Sequence, residues 1–158
     1  MNVRPNTLWR VPVFYLCASW ISFYLTVYLG QFIFVVKTTG ADGVINVSVD
    51  PVRSAIFTLV LLLAVLLLGG LWACRGMTKL EIFCSAAILV VIYVIINLLQ
   101  ISSVGFPVSL SLILSKFQNL NGTISSLLLR FTDQLEVCVL ISDLIPFLLV
   151  PFGKRSTR

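Results

Sequence analysis

The feature that most restricts this chain is a set of four apolar runs at about 11–36, 54–73, 80–101 and 131–152, with most of the charge held between and beyond them. A helix rises about 1.5 Å per residue, so roughly 20 apolar residues cover the ~30 Å hydrocarbon core of a bilayer. Inside hydrocarbon every backbone N–H and C=O needs a partner from the chain itself, which a helix supplies. The expected fold is therefore an all-α integral membrane protein, an antiparallel bundle of four transmembrane helices forming one membrane domain over residues 1–158. Composition agrees. Hydrophobic residues make up 59% and charged residues 11%, with a mean hydropathy of +1.07, against about 45–50% and about 25% in soluble domains.

The first run ends in Lys37-Thr38-Thr39 rather than in a small-residue cleavage site, so it is expected to stay in the membrane. Pro5-Asn6-Thr7 reads as its helix start, with Trp9 at interface depth. Asp50-Pro51 is a clearer start for the second span: an acidic cap followed by proline at the first helical position. The short polar link from Cys74 to Lys79 makes spans two and three an antiparallel hairpin. Span four is placed between Arg130 and Lys154. Its 23 residues amount to about 34 Å of helix.

Lysine and arginine set the expected orientation. Arg4, Arg10, Arg75, Lys79, Lys154, Arg155 and Arg158 fall on one side, and Lys37, Arg53, Lys116 and Arg130 on the other. The richer side is the cytoplasmic one, so both termini are expected in the cytoplasm of a multi-pass cell-membrane protein. On the outer side, Val35–Thr39 and Val44–Val49 read as two β-prone runs about the Gly40–Gly43 turn, a small external hairpin. Gly105 and Pro107 break the helix after span three. Leu110, Ile113, Leu114, Phe117 and Leu120 then recur at helical spacing, the pattern of an amphipathic segment lying on the outer leaflet or, equally, of an ordinary connection packed on the bundle. The sequons at Asn46 and Asn121 both fall on this side.

Candidate functional residues come from the polar stripes. At 100° per residue, Asp133, Glu136 and Asp143 lie within about 80° on one face of span four. Tyr93, Asn97 and Gln100 form a stripe on span three, and Tyr24, Tyr28 and Gln31 repeat the same spacing on span one. Depths at about 1.5 Å per residue pair Asn97 with Glu136, Gln100 with Asp133, and Tyr93 with Asp143. A carboxylate near the bilayer centre costs at least about 2.5–3.5 kcal/mol, so Asp143 is expected to be protonated or partnered within the bundle. These stripes read either as interhelical glue or as the lining of an outward-facing polar cavity that favours a cation, a proton or an amine-bearing ligand.

Other chemistries fail on inventory. The chain has no histidine, which removes the usual general base and the commonest metal ligand. Cys17, Cys74, Cys84 and Cys138 show no CxxC spacing and read as reduced core residues. There is no phosphate-binding glycine loop and no GxSxG, and no lysine falls inside a predicted span to activate a serine. Basic residues are too scattered for nucleic acid. No catalytic residue, metal ligand or cofactor site is expected. The expected function is that of a non-enzymatic accessory, regulatory or ligand-binding protein whose partners are the lipid bilayer and a homo-oligomer or larger membrane complex. The alternative is a small oligomeric transporter or channel that handles a cation or proton on the acids of span four.

Overall fold

The computed structural model describes residues 7–39, 43, 45–102 and 108–154, the side chains of 99–102 and 108 excepted. Arg4, Pro5, Asn6, Gly105, Pro107, Arg155 and Arg158, the side chain of Gln100, and Val44 with the remainder of the Gly40–Gly43 turn apart from Gly43 lie outside this description. The elements are α1 (Arg10–Ile33), β1 (Val35–Thr39), β2 (Ile45–Val49), α2 (Pro51–Leu68), α3 (Lys79–Ser102), α4 (Val108–Phe117), α5 (Asn119–Leu128) and α6 (Leu135–Asp143). A π turn, Gly69–Ala73, prolongs α2, and a 3-10 helix, Ile145–Phe152, follows α6. Four helical stretches are long and apolar enough to cross a membrane: Arg10–Ile33, Pro51–Ala73, Lys79–Leu98 and Leu135–Phe152.

At one end of the molecule β1 and β2 pair antiparallel, Val35 opposite Val49 and Thr39 opposite Ile45. Gly43 takes φ +75 in their connection, a left-handed conformation that favours glycine. The hairpin joins α1 to α2 directly, because Asp50 N–H donates to Phe34 C=O at 2.7 Å. The Asp50 carboxylate then accepts from the N–H groups of Val52 and Arg53 at 2.9 and 3.1 Å, the acidic cap expected ahead of Pro51.

The opposite end is closed by a capping box. Thr78 N–H donates to Glu81 Oε2 at 2.8 Å while Glu81 N–H donates to Thr78 Oγ1 at 3.3 Å, satisfying free donors at the start of α3. The chain's last described residue docks on the same turn: Lys154 N–H donates to Met77 C=O at 3.0 Å, and Lys79 N–H to Lys154 C=O at 3.2 Å. Gly153 makes this possible, since a Cβ there would lie 2.7 Å from the backbone nitrogen of Lys79.

Span four differs from the single helix expected at 131–152. The helix starts at Leu135, leaving Asp133 outside it, and ends at Asp143. Pro146 has no N–H and its ring clashes with the carbonyl four residues back, so α-helical pairing stops there. The chain switches to i→i+3 bonding, with Leu144 N–H to Ile141 C=O and Phe147 N–H to Leu144 C=O. A 3-10 helix rises about 2.0 Å per residue, so eight such residues reach roughly 4 Å further than α-helix and carry Asp143 toward the hairpin end.

The segment expected on the outer leaflet is the largest correction. α4 and α5 form a helical hairpin that dips into the bundle, with α5 packed against α1, α2 and α6. Its tip, Phe117–Leu120, meets Ser19, about 14 Å along α1 from Arg10 in a helix about 35 Å long. Leu128 to Arg130 return to the hairpin end, where the Arg130 guanidinium donates to Pro51 C=O. Leu120, Asn121, Ile124 and Ser125 of α5 are buried. Amphipathic periodicity is the same for a helix lying on a surface and for one half-sunk among others, so the pattern alone could not distinguish them.

Gly153→Val is expected to lower stability by about 1–3 kcal/mol, the usual cost of overpacking. Cys74 reports the same joint. It is buried beside Met77, and burial pushes its thiol up to about 11, so its reactive thiolate is scarce at neutral pH. Alkylation at pH 7.5 is expected to be slow in the parent chain and faster in Gly153→Val, as read by mass spectrometry.

Candidate functional site at Asp143

Asp143 is the last residue of α6 and is 3% exposed. Its two oxygens are held from two different helices. Asn97 Nδ2 of α3 donates to Oδ2 at 2.8 Å, and Asn121 Nδ2 of α5 donates to Oδ1 at 2.9 Å. The network continues outward from each amide. Gln118 Nε2 donates to Asn97 Oδ1 at 2.8 Å, and the Tyr15 hydroxyl of α1 donates to Asn121 Oδ1 at 3.1 Å. Asp143 thus ties together α1, α3, α5 and α6. The first turn of α5 also lies beside the carboxylate, and a helix N-terminus favours negative charge by about 0.3–1 kcal/mol. Among the described residues Asp143 has no ion-pair partner.

The tip of the α4–α5 hairpin explains several of the surrounding polar residues. A chain that reverses inside a bundle leaves carbonyls and N–H groups without helical partners. Ser19 Oγ donates to Lys116 C=O at 3.2 Å and accepts from Leu120 N–H at 3.1 Å. The Tyr93 hydroxyl donates to Phe117 C=O at 3.2 Å. Asn119 Nδ2 donates to Ser22 Oγ at 3.0 Å, and Ser125 and Ser142 share a hydrogen bond of 2.7 Å between α5 and α6. No buried side-chain nitrogen or oxygen among the described residues lacks a partner.

Two openings flank Asp143. A chamber of about 250 Å³ between α3, α5 and α6 is lined by Asn97, Gln118, Asn121, Ser125, Ser142 and Asp143, with apolar walls from Leu129, Leu135 and Val139. A groove of about 430 Å³ between α3 and α6 is lined by Val94, Leu98, Leu135, Val139 and Leu140, with Glu136 in its wall. Asn97, Leu135, Val139 and Asp143 border both.

The expected stripes meet this geometry unequally. Asp143, Asn97 and Tyr93 are brought together, but the rungs differ: Asn97 meets Asp143 rather than Glu136, and Tyr93 reaches the hairpin tip. The added rise of the 3-10 helix, about 4 Å, supplies part of that offset of roughly 10 Å. Glu136 is exposed in the groove wall, and Asp133 is exposed in the turn before α6. Tyr24, Tyr28 and Gln31 do not join the site. Tyr24 and Tyr28 are 42% and 62% exposed and stack on each other at 6.3 Å, Gln31 is exposed as well, and Lys116 Nζ sits 5.7 Å from the Tyr24 ring. On a 100° wheel Tyr15, Ser19 and Ser22 cluster about 180° away from that stripe. The close approach of the hairpin backbone requires small hydroxyls on the inner side of α1, and the larger aromatic stripe is left outside. Lys116 lies at the hairpin tip rather than in an outer loop, so one lysine sits at span depth. Of the two sequon asparagines, Asn121 is 4% exposed and hydrogen-bonded, while Asn46 on β2 is exposed.

Sequence reasoning missed Tyr15, Gln118, Asn121, Ser125 and Ser142. The available signal was Gln118-Asn119-Leu120-Asn121, a run of amides too polar for the buried face of an ordinary surface helix. The chain matches no protein-family model, and neither the curated proteins nor the solved structures contain a match.

Asn121→Leu leaves one carboxylate oxygen and the Tyr15 hydroxyl without their partner, and is expected to destabilise by about 1–3 kcal/mol. Tyr28→Phe, on the exposed stripe, is expected to stay within about 0.5 kcal/mol of the parent. Thermal unfolding of the purified protein in detergent compares the two.

Proposed function

We propose that this chain is a multi-pass membrane protein without catalytic activity that binds a small ammonium-bearing ligand in the chamber beside Asp143. The membrane placement rests on an inverted surface. Large apolar side chains face outward along all four long helices, including Phe32 at 79% and Trp72 at 81% exposure, while Ser19, Ser22, Asn121, Ser125, Ser142 and Asp143 are buried. Such a surface is stable against acyl chains and not against water. In this reading the β-hairpin and the mouth of the chamber face outward, and the Thr78–Lys154 joint faces the cytoplasm.

The ligand class rests on one observation: both Asp143 oxygens accept from neutral amides, and among the described residues no cation stands against them. A carboxylate in a low-dielectric interior is poorly compensated by neutral donors alone. An ammonium group in the adjoining chamber supplies the missing charge and finds acceptors in the Ser125, Ser142 and amide oxygens that line it.

Ethylammonium chloride is expected to raise the unfolding temperature of the parent protein relative to sodium chloride at equal ionic strength, and to leave Asp143→Asn unchanged. Binding stabilises by about 2.7 kcal/mol when ligand is at 100 times its Kd. Equal shifts in both proteins contradict the site. Cation flux in proteoliposomes that disappears in Asp143→Asn assigns the alternative, a transporter or channel. The orientation has its own check: Asn46→Cys is expected to react with an impermeant maleimide in intact cells, and labelling only after lysis reverses it.

A further inference from the structure

The chamber and the groove share a wall, and that shared wall carries the inference. On one side of Asn97, Leu135, Val139 and Asp143 the space is lined by amides and hydroxyls. On the other it is lined by Val94, Leu98 and Leu140. A volume of about 250 Å³ that holds most of the amides and hydroxyls thus adjoins a mainly aliphatic volume of about 430 Å³, and the carboxylate stands at the boundary. The groove by itself falls within the range of pockets that enclose drug-sized ligands, about 300–1,000 Å³.

We infer that the natural ligand is a single-chain cationic amphiphile, a long-chain amine whose ammonium group meets Asp143 where the chamber and the groove adjoin and whose hydrocarbon tail lies in the groove between α3 and α6. This rests on the ammonium site proposed above and extends it by naming the substrate class. Three features of the groove support this occupant. Val94, Leu98, Leu135, Val139 and Leu140 give it a mainly aliphatic lining, which suits a flexible chain. Its walls are open sideways, with Leu98 at 60% and Leu140 at 59% exposure, so an amphiphile can enter from the bilayer without passing through water. Its acidic groups are Asp143 at the chamber boundary and Glu136, two turns earlier on α6, so both carboxylates along the path attract an ammonium and repel a fatty acid.

A transmembrane helix of another copy is the competing occupant. The groove runs only along α6, about 13 Å of helix, while the 3-10 helix that follows packs on α3, so a full span of another copy has no matching length of groove to enter. An apolar helix also leaves Asp143 uncompensated.

The test uses the full chain in lipid nanodiscs and a long-chain primary amine with a diazirine at its tail end. Photolabelling is expected on the α3 and α6 peptides that hold Val94, Leu98 and Leu140. Dodecylamine is expected to compete at least about tenfold better than dodecanol or dodecanoic acid, which corresponds to about 1.4 kcal/mol for the charge contact. Labelling is expected to fall in Asp143→Asn, and also in Leu140→Trp, which fills the groove without touching the hydrogen-bond network. Label spread over the exposed faces of α1 and α2, or equal competition by amine, alcohol and acid, overturns the inference. So does labelling that occurs only at a contact between two copies. If ethylammonium still stabilises the parent protein when the long-chain probe fails, only the amphiphile is wrong. If ethylammonium fails as well, the ammonium site itself is wrong.

Discussion

A carboxylate placed inside an apolar bundle must be met by donors that the fold brings to it, and here they come from two other helices. Asn97 of α3 and Asn121 of α5 each take one oxygen of Asp143. The consequence is geometric. α5 has to enter the bundle for Asn121 to reach the acid, which forces the chain to reverse at Gln118, far from either end of α1. That reversal exposes backbone groups in the interior. The hydroxyls of Ser19 and Tyr93 are the side chains that satisfy them.

The same constraint separates two sets of tyrosines that look alike in sequence. Tyr15 and Tyr93 are buried with their rings edge to face at 6.2 Å, one hydroxyl serving Asn121 and the other the hairpin tip. Tyr24 and Tyr28 lie on the outside of α1, Tyr24 near the middle of the helix. The interior of this protein combines the hydrogen bonds around Asp143 with two apolar clusters, one about Tyr15, Leu89, Tyr93 and Leu120 and one about Val11, Met77, Ile82 and Leu149, while many large apolar side chains are turned outward. Four helices long and apolar enough to cross a membrane fit this arrangement, since in a bilayer burying more leucine against leucine offers little advantage over acyl chains.

How much of this could be read beforehand depended on whether the controlling interaction was local. Four apolar stretches, the Asp50-Pro51 start and the paired β-strands follow from neighbours in sequence, and each is present in the structure. The meeting of Asn97 with Asp143 required knowing that α3 and α6 are adjacent, and the depth estimate missed by one rung in part because it ignored Pro146. That proline stood in plain view, and its effect on rise was calculable. The dipping α4–α5 hairpin was not legible from periodicity, because a half-buried helix and a surface helix share the same stripe. Nor could a helical wheel choose between the two faces of α1: one offers tyrosines and glutamine, the other a tyrosine and serines, and only the approach of a backbone favours the smaller set.

The tie between α3 and α6 is tested most directly by a double-mutant cycle on Asn97 and Asp143, with Asn97→Leu, Asp143→Leu and the double variant unfolded under the same conditions. A buried hydrogen-bonded pair is expected to show a coupling of about 0.5–3 kcal/mol, the double variant being less destabilised than the sum of the singles because neither polar group is left alone. Strict additivity contradicts the account, since it means that the two side chains do not meet.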